Sequence, residues 1–175
     1  GVYITAAVDD GRPVGCVTNS VMQITSSPAT IAVSVNHDNY TNACIRKSGR
    51  FSISILPEDS DPALIGTFGF HSSRDTDKFQ DIRFELQAGL PIIQDASGFI
   101  ICKLIDTMET ATHTIFLGKI TAMEAIRPGT LMPYSYYHKA IIGKSPKNAP
   151  TSQPPEAAAA CSSIRWKCLI CGYIS

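Results

Sequence analysis

Short runs that alternate apolar with small or polar residues dominate the first 126 positions of the chain. They read VYITAAV (2–8), VGCVTN (14–19), VMQIT (21–25), TIAVSV (30–35), FSISIL (51–56), GFIICKLI (98–105) and HTIFLGKI (113–120). A period of two places successive side chains on opposite faces of a strand, and the enrichment in Val, Ile, Thr and Phe suits a pleated, half-buried surface. Asp9-Asp10-Gly11 falls between the first two runs. Aspartate tolerates and glycine favours positive φ, so this reads as a hairpin turn. Two helices interrupt the series. One covers 40–48 and stops at Gly49; the other opens at Asp61-Pro62, with proline in the first turn, and runs toward Thr67. Strands with turn-rich joints and few helices predict a mainly β fold closed as a barrel.

A length of 175 residues and a hydrophobic fraction of 44% suffice for one ordinary core with a short appendage. Fifteen basic and fifteen acidic residues cancel, which removes any global field for nucleic acid or an anionic surface. Nucleic acid is therefore not expected as a partner. No apolar run approaches the roughly 20 residues that span a bilayer, and GVYITAAV lacks the pattern of a signal peptide. The chain reads as cytoplasmic, with no membrane partner.

Composition shifts after residue 144. Pro146, Pro150, Pro154 and Pro155 precede Ala157–Ala160, and proline at this density keeps the backbone extended. The expected organisation is a barrel domain over 1–144, a Pro/Ala-rich linker over 145–163, and a small cysteine module over 164–175. That module reads Trp166-Lys167-Cys168-Leu169-Ile170-Cys171-Gly172-Tyr173. Two thiolates two residues apart can share one metal ion, and the glycine lets backbone N–H groups turn toward sulfur. A tetrahedral site needs four ligands, so Cys168 and Cys171 fill half of one, and the chain is expected to be cut short. Cys16, Cys44 and Cys102 lie in apolar surroundings and read as small hydrophobes.

In the barrel, chemistry concentrates where TIAVSV runs into Asn36-His37-Asp38-Asn39-Tyr40-Thr41-Asn42. A helix opening with polar residues presents unpaired N–H groups and the positive end of its dipole, a place for phosphate or merely a cap. Thr18-Asn19-Ser20 breaks the alternation upstream. Downstream, the segment 72–78 follows Phe68-Gly69-Phe70 with hydroxyls and the cations Arg74 and Lys78. Together they suit a phosphorylated aromatic ligand.

The stretches 18–56, 65–79, 112–120 and 132–150 follow one another as they do in the flavin reductase-like, FMN-binding split-barrel family, flavoredoxin type. The similarity spans nearly all of 2–151, and the C-x-x-C-G-Y run resembles the first knuckle of a rubredoxin module. The resemblance implies FMN as cofactor and NAD(P)H as donor. Thr18, Asn19 and Ser20 would line the flavin ring and ribityl chain, Asn36, Asn39, Tyr40 and Thr41 the phosphate-side turn, and Gly69, Arg74 and Lys78 the segment that faces it. His113 matches the family's strand histidine near the nicotinamide and is the catalytic candidate, although Thr112 stands where an acidic neighbour is usual; a purely structural role stays open. Tyr134, Tyr136, Tyr137 and His138 match an aromatic stretch that closes the pocket or a homodimer contact. Iron held by Cys168 and Cys171 within a complete module would pass electrons to a redox partner protein, by analogy a flavodiiron oxygen or nitric oxide reductase. Two alternatives remain: a non-catalytic β-barrel binding module with a zinc knuckle, and a reductase that supplies free flavin.

Overall fold

The computed structural model describes residues 1–140, with side chains through 138; the linker and cysteine module expected over 145–175 lie outside the described residues. The element order is β1 (Tyr3–Asp9), β2 (Arg12–Thr18), β3 (Val21–Ser26), β4 (Ala29–Asn36), α1 (Tyr40–Ser48), β5 (Arg50–Ile55), α2 (Pro62–Phe70), β6 (Phe84–Gln87), β7 (Leu90–Ile93), β8 (Gly98–Glu109), β9 (His113–Ala125) and α3 (Tyr134–Ala140). All seven expected strands join one antiparallel sheet of order β2-β1-β5-β8-β9-β4-β3. The two edge strands, β2 and β3, are consecutive in the chain and joined by Asn19-Ser20 alone. Six strand spacings of ~4.8 Å would put the edges of a flat sheet about 29 Å apart. Three residue steps reach only about 11 Å. The sheet must therefore curl until its edges meet, as a split barrel.

Local devices allow the curl. Register shifts interrupt the β8–β9 ladder between Ile101 and Cys102 and between Leu104 and Asp106, and the β3–β4 ladder between Gln23 and Thr25; such bulges bend and coil long strands. Gly118 sits where the inner face closes on Phe51, and a Cβ there would lie 2.6 Å from the Phe51 ring and 2.8 Å from the Cys102 Cβ.

The barrel interior holds Ala7, Val14, Cys16, Ile31, Val33, Val35, Phe51, Ile53, Cys102 and Phe116, with Cys44 and Ile45 of α1 packed into the same cluster. A second cluster lies outside the sheet, where Val2, Ile4, Ala6 and Leu56 meet Leu64, Ile65 and Phe68 of α2 and Tyr137 of α3. Asp61 caps α2 through Ala63 N at 2.8 Å, with Pro62 behind it, and the helix continues past Thr67 to Phe70. Gly49 ends α1 in the left-handed region (φ 66°), its N–H donating to Ile45 O. Asp10 and Gly11 turn with φ of 47° and 88°, as their residue types require.

The β6–β7 hairpin is new relative to the sequence pattern. Its strands are four residues each, and Pro91 stands inside the second. It is held by the outward serines of FSISIL: Ser54 Oγ accepts from Ile93 N at 3.0 Å, and Ser52 Oγ donates to Pro91 O. Those serines alternate with Phe51 and Ile53 and would read as solvent-facing, but both are buried. β8 and β9 also extend to Glu109 and Ala125, where exposed side chains obscure the apolar period. Among the described residues no helix is long and apolar enough to cross a membrane.

Gly118→Ala is expected to lower unfolding free energy by about 1–3 kcal/mol, through overpacking against Phe51 and Cys102. Urea denaturation monitored by circular dichroism checks this; an unchanged midpoint would show that the barrel wall yields freely there.

Candidate active site

The β4 strand delivers Asn36 to the rim of the barrel, where its Oδ1 accepts from Asp38 N at 2.9 Å and so turns the chain into α1. Asn39 takes the N-cap position with extended φ/ψ and no side-chain capping bond. Its side chain and the Thr41 hydroxyl instead lie against the thiol of Cys16, which burial pushes above its ordinary pKa. Asn42 N reaches back to Asn39 O at 2.8 Å, while the earlier N–H groups of the turn have no acceptor within the helix.

Two cations converge on this opening. The guanidinium carbons of Arg12 and Arg74 stand 5.8 and 5.5 Å from the centroid of the Tyr40 ring. Arg12 is tethered, donating to Ser73 O at 2.8 Å and lying 3.8 Å from Asp9. Arg74 makes no ion pair among the described residues. The Tyr40 hydroxyl donates to Asp9 Oδ2 at 2.6 Å, and Lys47 bridges Asp9 and Asp10. The hairpin turn and the helix start are thereby clamped together.

The segment 72–78 is stitched to β2 at Gly15. Ser73 Oγ accepts from Gly15 N at 3.2 Å and donates to Gly15 O at 3.1 Å, and Lys78 Nζ donates to Gly15 O at 2.9 Å and Phe68 O at 3.1 Å. Lys78 is 3% exposed, and burial lowers its pKa. Two of the three donor directions of its ammonium are thus taken by the fold. Sequence placed Lys78 beside Arg74 as a ligand-facing cation; the structure gives it the role of ordering the segment that presents Arg74. Gly69 lies half-buried in the last turn of α2, next to the Phe68 carbonyl that Lys78 holds.

Thr18 is buried at the end of β2 with its hydroxyl 2.8 Å from that of Thr5. Asn19 and Ser20 form the two-residue junction between the sheet edges, and Ser20 is held to β4, with Ser34 N donating to Ser20 O and Ser20 Oγ donating to Ser34 O. His113 opens β9 directly opposite Asn36. It is 9% exposed, its Nδ1 is 2.8 Å from Thr112 Oγ1, and its Nε2 is buried without a partner among the described residues. The structure thus brings Asn36, Asn39, Tyr40 and Arg74 to one opening, with the Thr41 hydroxyl buried beneath it and His113 beside Asn36.

Sequence reasoning missed Arg12 and the brace beneath the site. Asn42 Nδ2 donates to Val35 O and Thr114 Oγ1, both at 3.0 Å; Arg46 donates to Asn42 Oδ1, Thr114 Oγ1 and Glu109; and Glu109 Oε2 lies 3.0 Å from His37 Nε2. The i, i+4 spacing of Asn42 and Arg46 was the only local signal. Cys16, Cys44 and Cys102 are buried free thiols, and no cluster of three or more metal-ligating side chains occurs among the described residues. Cys168 and Cys171 lie outside them.

The family model described as flavin reductase like domain matches residues 1–142. The chain belongs to this family. A relative named high molecular weight rubredoxin, from Moorella thermoacetica, is 39% identical over 99% of this chain and 78% of its own length. A ferric-chelate reductase (NAD(P)H) from Archaeoglobus fulgidus is 33% identical over 85% of this chain and 89% of its own. Flavoredoxin from Methanosarcina acetivorans shares the fold, with TM-score 0.67 over 73% of each chain at 21% identity. The split barrel expected from sequence is thus the family's fold, and the chain is an oxidoreductase of the NAD(P)H-dependent flavin reductase family. The opening at α1 suits the FMN of that family: it is cation-flanked and rich in N–H donors, and His113, whose buried Nε2 has no partner among the described residues, pairs with Asn36 at its edge.

Three carboxylates are held below the usual range: Asp9 by the Tyr40 and Lys47 hydrogen bonds and Glu109 by Arg46 and Thr114, both at this end of the barrel, and Asp59 by Arg127, beyond the far end of β9. A depressed folded pKa stabilises the fold above the unfolded-chain value of about 4, and the gain is lost as pH falls through the lower folded values. The thermal midpoint is therefore expected to drop between about pH 5 and pH 3. An Asp9→Asn/Glu109→Gln variant should show a flatter drop in the same scanning-calorimetry series.

Proposed function

We propose that this chain is an NAD(P)H-oxidising FMN flavoprotein that passes electrons through a rubredoxin-type iron centre to an external acceptor. The observation that carries the reading is Arg74, held over Tyr40 at the mouth of α1 with no acidic partner among the described residues. An unpaired guanidinium beside open helix N–H groups is an anion site seeking its anion. Arg74, Asn36, Asn39, Tyr40 and Thr41 would take the FMN phosphate. Lys78 and Gly69 would fix the segment that carries Arg74. Thr18, Asn19 and Ser20 would meet the polar edge of the flavin ring and its ribityl chain, and His113 would border the nicotinamide.

When bound, FMN supplies hydride acceptance and release of single electrons. The residues of the chain orient the two rings, exclude water and place N–H donors against developing negative charge. The domain organisation proposed for the remainder is a linker over 145–163 and a metal-binding module over 164–175, where Cys168 and Cys171 contribute two thiolates of a one-iron centre. The relative named high molecular weight rubredoxin aligns through 99% of the chain, which supports that module. A flavodiiron protein is the proposed acceptor class. A homodimer is also proposed, supported by Met22 and Ile24, which stand 62% and 45% exposed on the edge strand β3.

The deciding experiment is the visible spectrum of the protein offered FMN, recorded before and after NADH is added without oxygen. Flavin bands that bleach while the flavin stays bound are the expected result. Uptake followed by release on turnover would favour the reductase that supplies free flavin. A protein that takes up no FMN would overturn the proposal and favour the non-catalytic binding module.

Arg74→Ala is expected to weaken FMN binding about tenfold or more, since a hydrogen bond to a charged group contributes ~1.5–3 kcal/mol. Quenching of flavin fluorescence on titration measures it; Arg50→Ala, beyond the C-terminal end of α1 and bonded to Ala88 O, should leave the affinity unchanged.

A further inference from the structure

His113 is fixed from several sides. Its N–H and C=O bond to Thr110 Oγ1 at 3.1 and 2.7 Å, Thr110 N donates to the same carbonyl at 2.9 Å, and its backbone pairs with Asn36 in β4. Among the described residues the ring itself has one partner, Thr112 Oγ1 at 2.8 Å from Nδ1. On the other side of the ring Nε2 is buried and has none among the described residues. Glu109, the nearest carboxylate along the chain, is engaged by Arg46, Thr114 and His37.

The neutral imidazole carries one proton, and the threonine hydroxyl can either accept from Nδ1 or donate to it. If Thr112 donated, the ring proton would sit on Nε2 as a buried N–H with no acceptor, the rarer and costlier kind of orphan. If Thr112 accepts, the proton is satisfied and Nε2 keeps a bare lone pair.

We propose that Thr112 is a positioning residue: by accepting the Nδ1 proton of His113 it leaves Nε2 as a buried acceptor for an amide N–H of the bound nucleotide. The ligand feature selected is an N–H donor such as the carboxamide of a nicotinamide ring, and the assignment of that ligand rests on the flavin and nicotinamide reading above. A carboxylate at position 112 would add a negative charge beside the ring and favour imidazolium, which has no acceptor nitrogen. The neutral hydroxyl fixes the tautomer without that charge.

Two measurements test the pair. Long-range nitrogen–proton NMR of the imidazole in flavin-free protein should show His113 protonated at Nδ1. Thr112→Val should shift the proton toward Nε2, and Thr112→Ser should keep the wild-type pattern. Titration with NADH, followed by its own fluorescence in the presence and absence of FMN, should show roughly threefold to tenfold weaker binding in Thr112→Val and recovery in Thr112→Ser. A wild-type ring protonated at Nε2 overturns the proposal, as does a tautomer or an NADH affinity that Thr112→Val leaves unchanged. Absence of FMN uptake with both Thr112 effects intact would support the pair and strike the flavin reading instead.

Discussion

The structure depends on a covalent constraint that looks trivial in the sequence: Asn19-Ser20 must connect the two edges of a seven-stranded sheet. A flat sheet cannot satisfy it. Once the edges are drawn together, the inner face becomes a closed apolar space, and Val14, Val33, Phe51, Ile53 and Phe116 meet across it rather than lying in rows. The same closure brings the start of β2, the ends of β1 and β4, and the start of β9 around α1. Every element of the candidate site is there because the barrel shuts.

What keeps the opening in shape is a set of polar bonds that begin on α1. Asn42 and Arg46 reach across to Val35, Thr114 and Glu109, and Tyr40 and Lys47 reach to Asp9. These tie one helix to β4, to the β8–β9 hairpin and to the β1–β2 turn. A network whose members are all satisfied rigidifies as well as stabilises. Rigid placement of α1 suits a site whose chemistry belongs to a cofactor and whose protein part is orientation.

Much of the fold was legible because its signals are local. Gly49 ended α1, Asp61-Pro62 opened α2 and Asp10-Gly11 turned the first hairpin, each because a few neighbouring dihedrals decide the matter. The β6–β7 hairpin was not legible. Its strands are short, and its attachment rests on Ser52 and Ser54, whose alternation with Phe51 and Ile53 looks the same whether the hydroxyls face water or another backbone. The candidate site divides similarly. Asn36, Asn39, Tyr40, Thr41 and Arg74 announced themselves as a polar helix start and a nearby cation, whereas Arg12 did not, because its closeness to Tyr40 depends on how the first hairpin meets α1.

The sequence by itself determined the seven strands of the large sheet, the first two helices and the residue types able to bind an anion, since period, caps and turn chemistry act over a few residues. Only the tertiary structure decided which cations remain open. Lys78 and Arg74 are four positions apart in the chain, yet the carbonyls of Gly15 and Phe68 take the ammonium into the interior while the guanidinium is left at the mouth of α1. Those carbonyls lie 63 and 10 residues away. Where a charge finds its partner depends on which distant backbone groups the closed sheet places beside it.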